Sequence, residues 1–181
     1  MIIILEGMDG TGKTTLARKF EDLGYTFFKE DDKLKHFINF KSDPEKWEYF
    51  VTGMNAQLLN VFDNFDNFVK DRFHFSEYVF SKYTNRKSHL SFYHLEEHLI
   101  HLNKEIYLFL FQCDYDTYIE RTLNKEEPYK FSKDEYDELN RKFYDAFNQS
   151  ELRNQIYMDT SNKSIDEIFR KMSQEVLYGR L

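Results

Sequence analysis

The chain has 181 residues, 31% of which are charged, and its formal net charge of −7 disfavours non-specific binding to DNA or RNA. The length suits one domain with a substantial core, and the single cysteine, Cys113, excludes an internal disulfide and favours a reducing, cytoplasmic location. The apolar run at residues 2–5 is too short for a signal peptide or a membrane span, so we expect neither.

The first predicted strand, residues 2–5, leads into a glycine-rich loop with the sequence GMDGTGKTT, and apolar residues at helical spacing follow it. Strand, loop and helix in this order are the context in which Gly-x-x-x-x-Gly-Lys-Thr binds phosphate through backbone N–H groups. Lys13 should reach the outer phosphates, and the Thr14 hydroxyl should bind a magnesium ion. The residues that we expect to bind the phosphates of ATP are Gly7, Gly10, Thr11, Gly12, Lys13, Thr14 and Thr15.

The second predicted strand, residues 25–28, ends in the charged sequence KEDD. The C-terminal ends of parallel strands line a ligand crevice, so Glu30 is a candidate catalytic residue, although a solvated turn would carry the same charges. A long helix should begin near residues 42–43. Its amides, Asn55 and Gln57, either hydrogen-bond the edge of a nucleobase or lie exposed.

A short strand at residues 68–70 delivers Asp71 and Arg72 at its C-terminal end, where open parallel sheets place their chemistry. Asp71 could bind magnesium or accept a proton, and Arg72 offers a planar fork to a phosphate. The alternative is an exposed ion pair of little consequence.

The remaining chain predicts two more strands and five helices. A polar segment at residues 124–132 lacks apolar periodicity and suits a mobile flap. His94 and His98 have the spacing of a metal site but lack a third ligand, so we interpret them as surface residues. Five strands that alternate with helices predict an α/β fold with three layers, in which a five-stranded parallel sheet carries helices on both faces.

The sequence DRFHFSEYVF at residues 71–80 resembles the thymidylate kinase family, whose members carry Asp-Arg-aromatic, a serine and a further aromatic at this spacing. The phosphate loop, with an acidic residue at Asp9, and the sequence DTS at residues 159–161 agree with the same family. The resemblance implies a single P-loop kinase domain over residues 1–181, with a flap at about 124–132. It also implies the use of ATP and Mg²⁺, and a homodimer.

The resemblance further implies roles for individual residues. Asp9 would lie near the acceptor sugar, and Arg72 would hold the acceptor phosphate. Phe75 and Ser76 would lie beside the acceptor nucleoside, and Arg121 would lie against the adenine of ATP.

The chain lacks several arginines that the family carries. Lys29 follows the second strand, Ala56 and Gln57 stand on the long helix, and the only cations of the flap are Lys125 and Lys130. Because lysine is a poorer bidentate partner for a phosphoryl group, we expect a slower enzyme or one that accepts a modified pyrimidine.

Three hypotheses follow. The first is phosphoryl transfer from ATP to a deoxynucleoside monophosphate with a pyrimidine base, thymidylate or a modified dUMP. The second is transfer to the 5′-hydroxyl of a deoxynucleoside, with Glu30 as base and Arg72 in support. Lower in rank are a kinase for hydroxyl-bearing bases in DNA, which the net charge disfavours, and a nucleotide-hydrolysing switch.

Overall fold

A parallel sheet of five strands organises the protein, and its strand order is β2-β3-β1-β4-β5. The computed structural model describes residues 1–29, 44–85, 92–123 and 130–178. The strands are β1 (Ile2–Gly7), β2 (Thr26–Lys29), β3 (Phe68–Asp71), β4 (Ile106–Gln112) and β5 (Asn154–Asp159). The helices in the described ranges are α1 (Lys13–Glu21), α2 (Pro44–Asn64), α3 (His74–Tyr83), α4 (Phe92–His101), α5 (Tyr115–Thr122), α6 (Lys133–Gln149) and α7 (Ile165–Tyr178).

The central strand β1 is apolar up to Leu5 and buried along its whole length, as expected for a strand with helices on both faces. Its side chains alternate between two hydrophobic clusters. One cluster contains Ile2 and Ile4 with residues of α2, α3, α4 and α6. The other contains Ile3 and Leu5 with residues of α1 and α7. The predicted three-layer α/β fold is therefore confirmed.

The register of the strands brings their C-terminal ends together at one edge of the sheet. Leu5 of β1 is paired with Asp71 of β3, which is itself paired with Lys29 of β2. Because β3 and β4 lie on opposite sides of β1, the loop after β1 emerges where the strand order reverses. This is the position at which open parallel sheets bind ligands.

The strands predicted at residues 2–5, 25–28 and 68–70 agree with β1, β2 and β3 to within two residues. Ser132 caps α6 with a capping box, in which its hydroxyl and Glu135 bond reciprocally, and Asp114 accepts a 2.7 Å hydrogen bond from the N–H of Thr117 at the start of α5. The predicted start of the long helix, residues 42–43, lies outside the described residues. Within those residues, no helix is both long and apolar enough to cross a membrane.

Candidate active site

The loop between β1 and α1 has the backbone that a phosphate cradle needs. Gly7, Gly10 and Gly12 have φ angles of 129°, 76° and 91°, in the region that favours glycine. A Cβ atom on Gly7 would overlap the carbonyl oxygen of Phe111, and one on Gly12 would lie 2.9 Å from Cδ1 of Ile165. Gly12 is the N-cap of α1 and has no side chain that could accept from the first N–H groups of the helix, which therefore suit an anion.

Lys13, the first residue of α1, is folded back over this loop. Its Nζ atom donates to the Met8 carbonyl oxygen at 2.5 Å and to Thr11 Oγ1 at 3.1 Å. Burial, reinforced by the positive charge of Arg72, lowers the pKa of Lys13 to about 8. A buried ammonium group of this kind would be stabilised by the negative charge of a bound phosphate.

Thr14 and Thr15 point in different directions at the start of α1. Thr14 Oγ1 donates a 2.5 Å hydrogen bond to Asp71 Oδ2, whereas the side chain of Thr15 is exposed. Thr11, which precedes them in the loop, is buried and donates to the Met8 carbonyl oxygen at 2.9 Å. Within the described residues, only the hydroxyl group of Thr14 among these three contacts an acidic side chain.

Asp71 fits a role in holding magnesium. Its side chain is buried, and its Oδ1 atom has no hydrogen-bond partner among the described residues. The described ranges contain no group of three or more acidic, histidine or cysteine side chains that could hold a metal ion by themselves. Mg²⁺ commonly takes one or two protein oxygens and completes its shell with phosphate and water. Thr14 and Asp71 supply such a pair of oxygens beside the loop.

Arg72 leaves β3 in the left-handed region, with a φ angle of 66°, and its guanidinium group lies against Asp9 of the loop. Nη2 donates to Asp9 Oδ1 at 2.5 Å, Nη1 donates to Ser76 Oγ at 3.2 Å, and Cζ lies 5.2 Å from the centroid of the Phe80 ring. Burial alone would lower the pKa of Arg72, but the carboxylates, first among them Asp9, raise it above its ordinary value. Arg72 therefore stays charged at the edge of the loop.

Glu6 is a site residue that the sequence analysis missed. It is fully buried on β1, and its carboxylate accepts hydrogen bonds from the turn that follows Arg72. A glutamate in an otherwise apolar strand could have been noticed, because such a residue is almost never fully buried without partners. Its partners could not be deduced, because they lie far along the chain.

Arg121, on α5, joins the phosphate loop to the segment after β5. Its guanidinium group donates to the carbonyl oxygens of Gly10 (3.3 Å), Thr160 (2.8 Å) and Lys163 (3.1 Å), and to Thr160 Oγ1 (3.2 Å). One side chain thus holds the phosphate loop and the segment after β5 together. A contact between Arg121 and adenine remains a prediction.

Not every predicted residue is brought to this site. Phe75 is fully buried in the core and packs against His74 and Phe92, so its ring is not open to a ligand. Asn55 is buried on α2, and its Nδ2 atom has no partner within the described ranges, whereas Gln57 is exposed. Asn55 and Gln57 therefore lie on different sides of α2 and cannot both contact the same base. Glu30 and Lys125 lie outside the described residues.

The fold and the loop together define a P-loop kinase fold, and comparison with solved structures agrees. The chain matches the YorR protein of Bacillus subtilis, described in complex with phosphorylated GDP (20% identity, TM-score 0.73, 99% and 98% of the two chains covered). It also matches the deoxyadenosine kinase of M. mycoides with bound dATP (16%, TM-score 0.70, 98% and 100%) and the thymidylate kinase of Candida albicans (16%, TM-score 0.65, 99% and 92%).

At these identities the likeness shows the fold, and the resemblance to P-loop nucleoside and nucleotide kinases is confirmed at that level. A shikimate kinase of Aquifex aeolicus also matches, with a TM-score of 0.59, so the fold does not determine the acceptor. No protein-family model matches the sequence, and no curated protein matches it.

Proposed function

We propose that this protein transfers the terminal phosphate of ATP, with Mg²⁺, to a deoxynucleoside monophosphate, and that the base is a pyrimidine. The observation that carries the proposal is the position of Arg72, whose guanidinium group is held by Asp9 and Ser76 at the edge of the phosphate loop. Arg72 and Lys13 are close enough for the charge of one to lower the pKa of the other. Two cations at one edge suit an acceptor that brings its own negative charge.

In this proposal the loop and Lys13 hold the β- and γ-phosphates of ATP, and Arg72 holds the phosphate of the acceptor. An acceptor oxygen forms the new bond to the γ-phosphorus as the bond to the bridging oxygen breaks and ADP leaves. The acceptor phosphate is already a nucleophile, so this reaction needs orientation and charge neutralisation more than a base. Thr14 and Asp71 would hold the magnesium ion, which supplies positive charge to the phosphates.

The choice of a pyrimidine rests on the resemblance of residues 71–80 to thymidylate kinases. The described part of the flap begins at Lys130, an exposed lysine, and neither the flap nor the phosphate loop contains arginine. In our proposal the charge that develops during transfer is therefore neutralised by Lys13, Arg72 and magnesium. A homodimer and a cytoplasmic location also remain predictions.

A second candidate is phosphorylation of a deoxynucleoside at its 5′-hydroxyl. The register that pairs Lys29 with Asp71 favours it, because β2 ends at this edge immediately before the acidic sequence that begins with Glu30. A carboxylate there would serve as the base that a hydroxyl acceptor requires. The deoxyadenosine kinase among the similar structures has the same fold.

The test is ADP release from magnesium-ATP across a panel of nucleosides and nucleoside monophosphates. We expect a pyrimidine deoxynucleoside monophosphate to stimulate turnover most. Stimulation by nucleosides alone would establish the second candidate instead, and steady hydrolysis without any acceptor would contradict both.

Variants of Arg72 sharpen this test. Arg72→Lys keeps the charge but loses the fork, and Arg72→Ala loses both, so we expect the KM for the acceptor to rise in that order while the KM for ATP changes much less. Arg141→Ala, at an exposed arginine on α6, is the matched control. An equal loss for both substrates in Arg72→Ala would contradict the assigned role.

A further inference from the structure

Glu6 is a fully buried carboxylate on the central strand, with all of its described hydrogen bonds directed at one turn. Oε1 accepts from the backbone N–H of Phe73 at 2.8 Å and of Phe75 at 3.0 Å. Oε2 accepts from the backbone N–H of Ser76 at 3.2 Å and from Ser76 Oγ at 2.5 Å. An ionised carboxylate is stable in the core only with such a set of donors, and the N-terminus of α3 adds a favourable dipole.

The turn that Glu6 holds is the one that presents Arg72. Phe73 caps α3 without a side-chain hydrogen bond, so the first N–H groups of this helix take their acceptor from β1 instead. The N–H of Arg72 donates to the carbonyl oxygen of Leu5 at 2.9 Å. An arginine in the left-handed region is strained and persists only where its surroundings hold it. Leu5 and Glu6, adjacent on β1, provide those surroundings.

Glu6 also reaches the Arg72 side chain through one hydroxyl group. Ser76 Oγ donates its only hydrogen to Glu6 Oε2, so toward Arg72 it can only accept. The guanidinium group has donors and no acceptor, so this polarity matches it. A chain of hydrogen bonds with one direction therefore runs from Arg72 through Ser76 to Glu6.

We infer that Glu6 is a positioning residue for the acceptor phosphate, acting through the turn at residues 72–76 and through the Ser76 hydroxyl. It touches no reacting atom itself. This inference rests on the proposed role of Arg72, and it adds a residue whose charge fixes where the guanidinium group points. The role needs both oxygens of the side chain as acceptors, since Oε1 and Oε2 each accept two hydrogen bonds from the turn.

The experiment replaces Glu6 with glutamine, which has nearly the same shape. One carboxylate oxygen becomes an NH₂ group, which cannot accept from the N–H groups of the turn and can reverse the Ser76 hydroxyl. We expect Glu6→Gln to raise the KM for the acceptor on the order of tenfold while the KM for ATP stays within about twofold. The Nε–H resonance of Arg72, identified by its loss in Arg72→Lys, should shift or broaden.

A double-mutant cycle and a stability control separate positioning from simple support of the fold. In an Arg72→Lys background, Glu6→Gln should cause no further rise in the KM for the acceptor, because both changes remove one interaction. Leu99→Ala removes a buried core side chain of α4 and should lower the melting temperature without changing that KM.

The outcomes that overturn the inference differ from those that overturn the proposed function. The inference fails if Glu6→Gln leaves the Arg72 resonance or the KM for the acceptor unchanged, or if the two substitutions act additively. The proposed function fails if the wild-type protein shows no turnover with any nucleoside monophosphate. In that case the Arg72 resonance still decides whether Glu6 positions the guanidinium group.

Discussion

Thr14 and Asp71 are separated by 57 positions in the chain, yet Thr14 Oγ1 lies 2.5 Å from Asp71 Oδ2. The contact joins the start of α1 to the end of β3, and it exists because β1 and β3 are neighbours in the sheet. Asp71 has a second, buried oxygen without a partner in the part of the chain described here. The Thr14 hydroxyl group and the Asp71 carboxylate are therefore the groups that we expect to hold magnesium.

Asp71→Asn should weaken the affinity of the site for magnesium. The substitution keeps an acceptor for Thr14 but removes the negative charge, so the Mg²⁺ concentration for half-maximal activity should rise roughly 10- to 100-fold. Titration of Mg²⁺ at saturating ATP measures this change. Asp145→Asn, at a partly exposed aspartate on α6, is the matched control. An unchanged magnesium titration in Asp71→Asn would refute the site.

Binding of ATP should take up a proton above pH 8. Burial lowers the pKa of Lys13 to about 8, and the phosphates of ATP favour the charged amine, so they raise that pKa again. The affinity for ATP should therefore fall by up to roughly tenfold per pH unit above about 8. Calorimetry at pH 9 in two buffers with different ionisation enthalpies measures the proton directly. Lys142→Met, at a lysine on α6, should show the same uptake, and its absence in the wild-type protein would contradict the prediction.

The lowered pKa of Lys13 should make the ligand-free protein more stable as the pH rises, whereas the affinity for ATP falls. Between about pH 8 and the ordinary lysine value of 10.5, the unfolded chain binds more protons at Lys13 than the folded chain does. The contribution of Lys13 to the free energy of unfolding therefore rises with pH across this window. Denaturant unfolding of the wild type and of Lys13→Met, compared at pH 7 and pH 10, should show Lys13→Met as relatively more stable at pH 7.

Arg121→Lys should weaken the binding of ATP and leave the binding of the acceptor almost unaffected. This is the reverse of the effect that we expect from Arg72→Lys. Lysine cannot bridge Gly10 and Thr160 with a planar fork, so the phosphate loop loses its connection to the segment after β5. We expect the KM for ATP to rise about tenfold, which corresponds to the loss of one charge-assisted hydrogen bond. Steady-state kinetics with each substrate varied in turn measure both constants. Equal effects on the two substrates would show that Arg121 supports the whole site.

The fold could be predicted from the sequence because its elements depend on local patterns. A continuous apolar run predicts β1, and the alternation of five strands with helices predicts a parallel sheet with helices on both faces. The position of Asp71 and Arg72 also followed from the rule for strand ends. These features need only neighbouring residues, and the structure agrees with them.

The contacts of the site depend on residues far apart in the chain, and the sequence does not show them. Glu6 and the turn after Arg72 are separated by 67 or more positions, and the partners of Arg121 are mainly backbone carbonyl oxygens. Carbonyl oxygens occur at every residue and leave no trace in the sequence. By contrast, the burial of Asn55 could be predicted from the sequence, because Asn55 lies one helical turn from the apolar residues Val51 and Leu58.

The two amides of α2 give the last prediction, because the structure separates them. Asn55 is 5% exposed, and its Nδ2 donor has no partner within the described ranges, whereas Gln57 lies roughly 200° around the helix and is exposed. An unsatisfied buried donor destabilises the ligand-free protein and favours a ligand with an acceptor atom. Asn55→Leu should therefore raise the free energy of unfolding by about 1 kcal/mol and raise the KM for the acceptor.

Gln57→Leu is the matched control, since it makes the same change of residue class on the exposed side of α2. It should change the free energy of unfolding by no more than about 0.5 kcal/mol, and it should change the KM for the acceptor by no more than the same free energy represents. Thermal unfolding and acceptor kinetics on the two variants measure both effects. If Asn55→Leu destabilised the protein and left the KM for the acceptor unchanged, the amide would be satisfied within the protein, and the base would have to be recognised elsewhere.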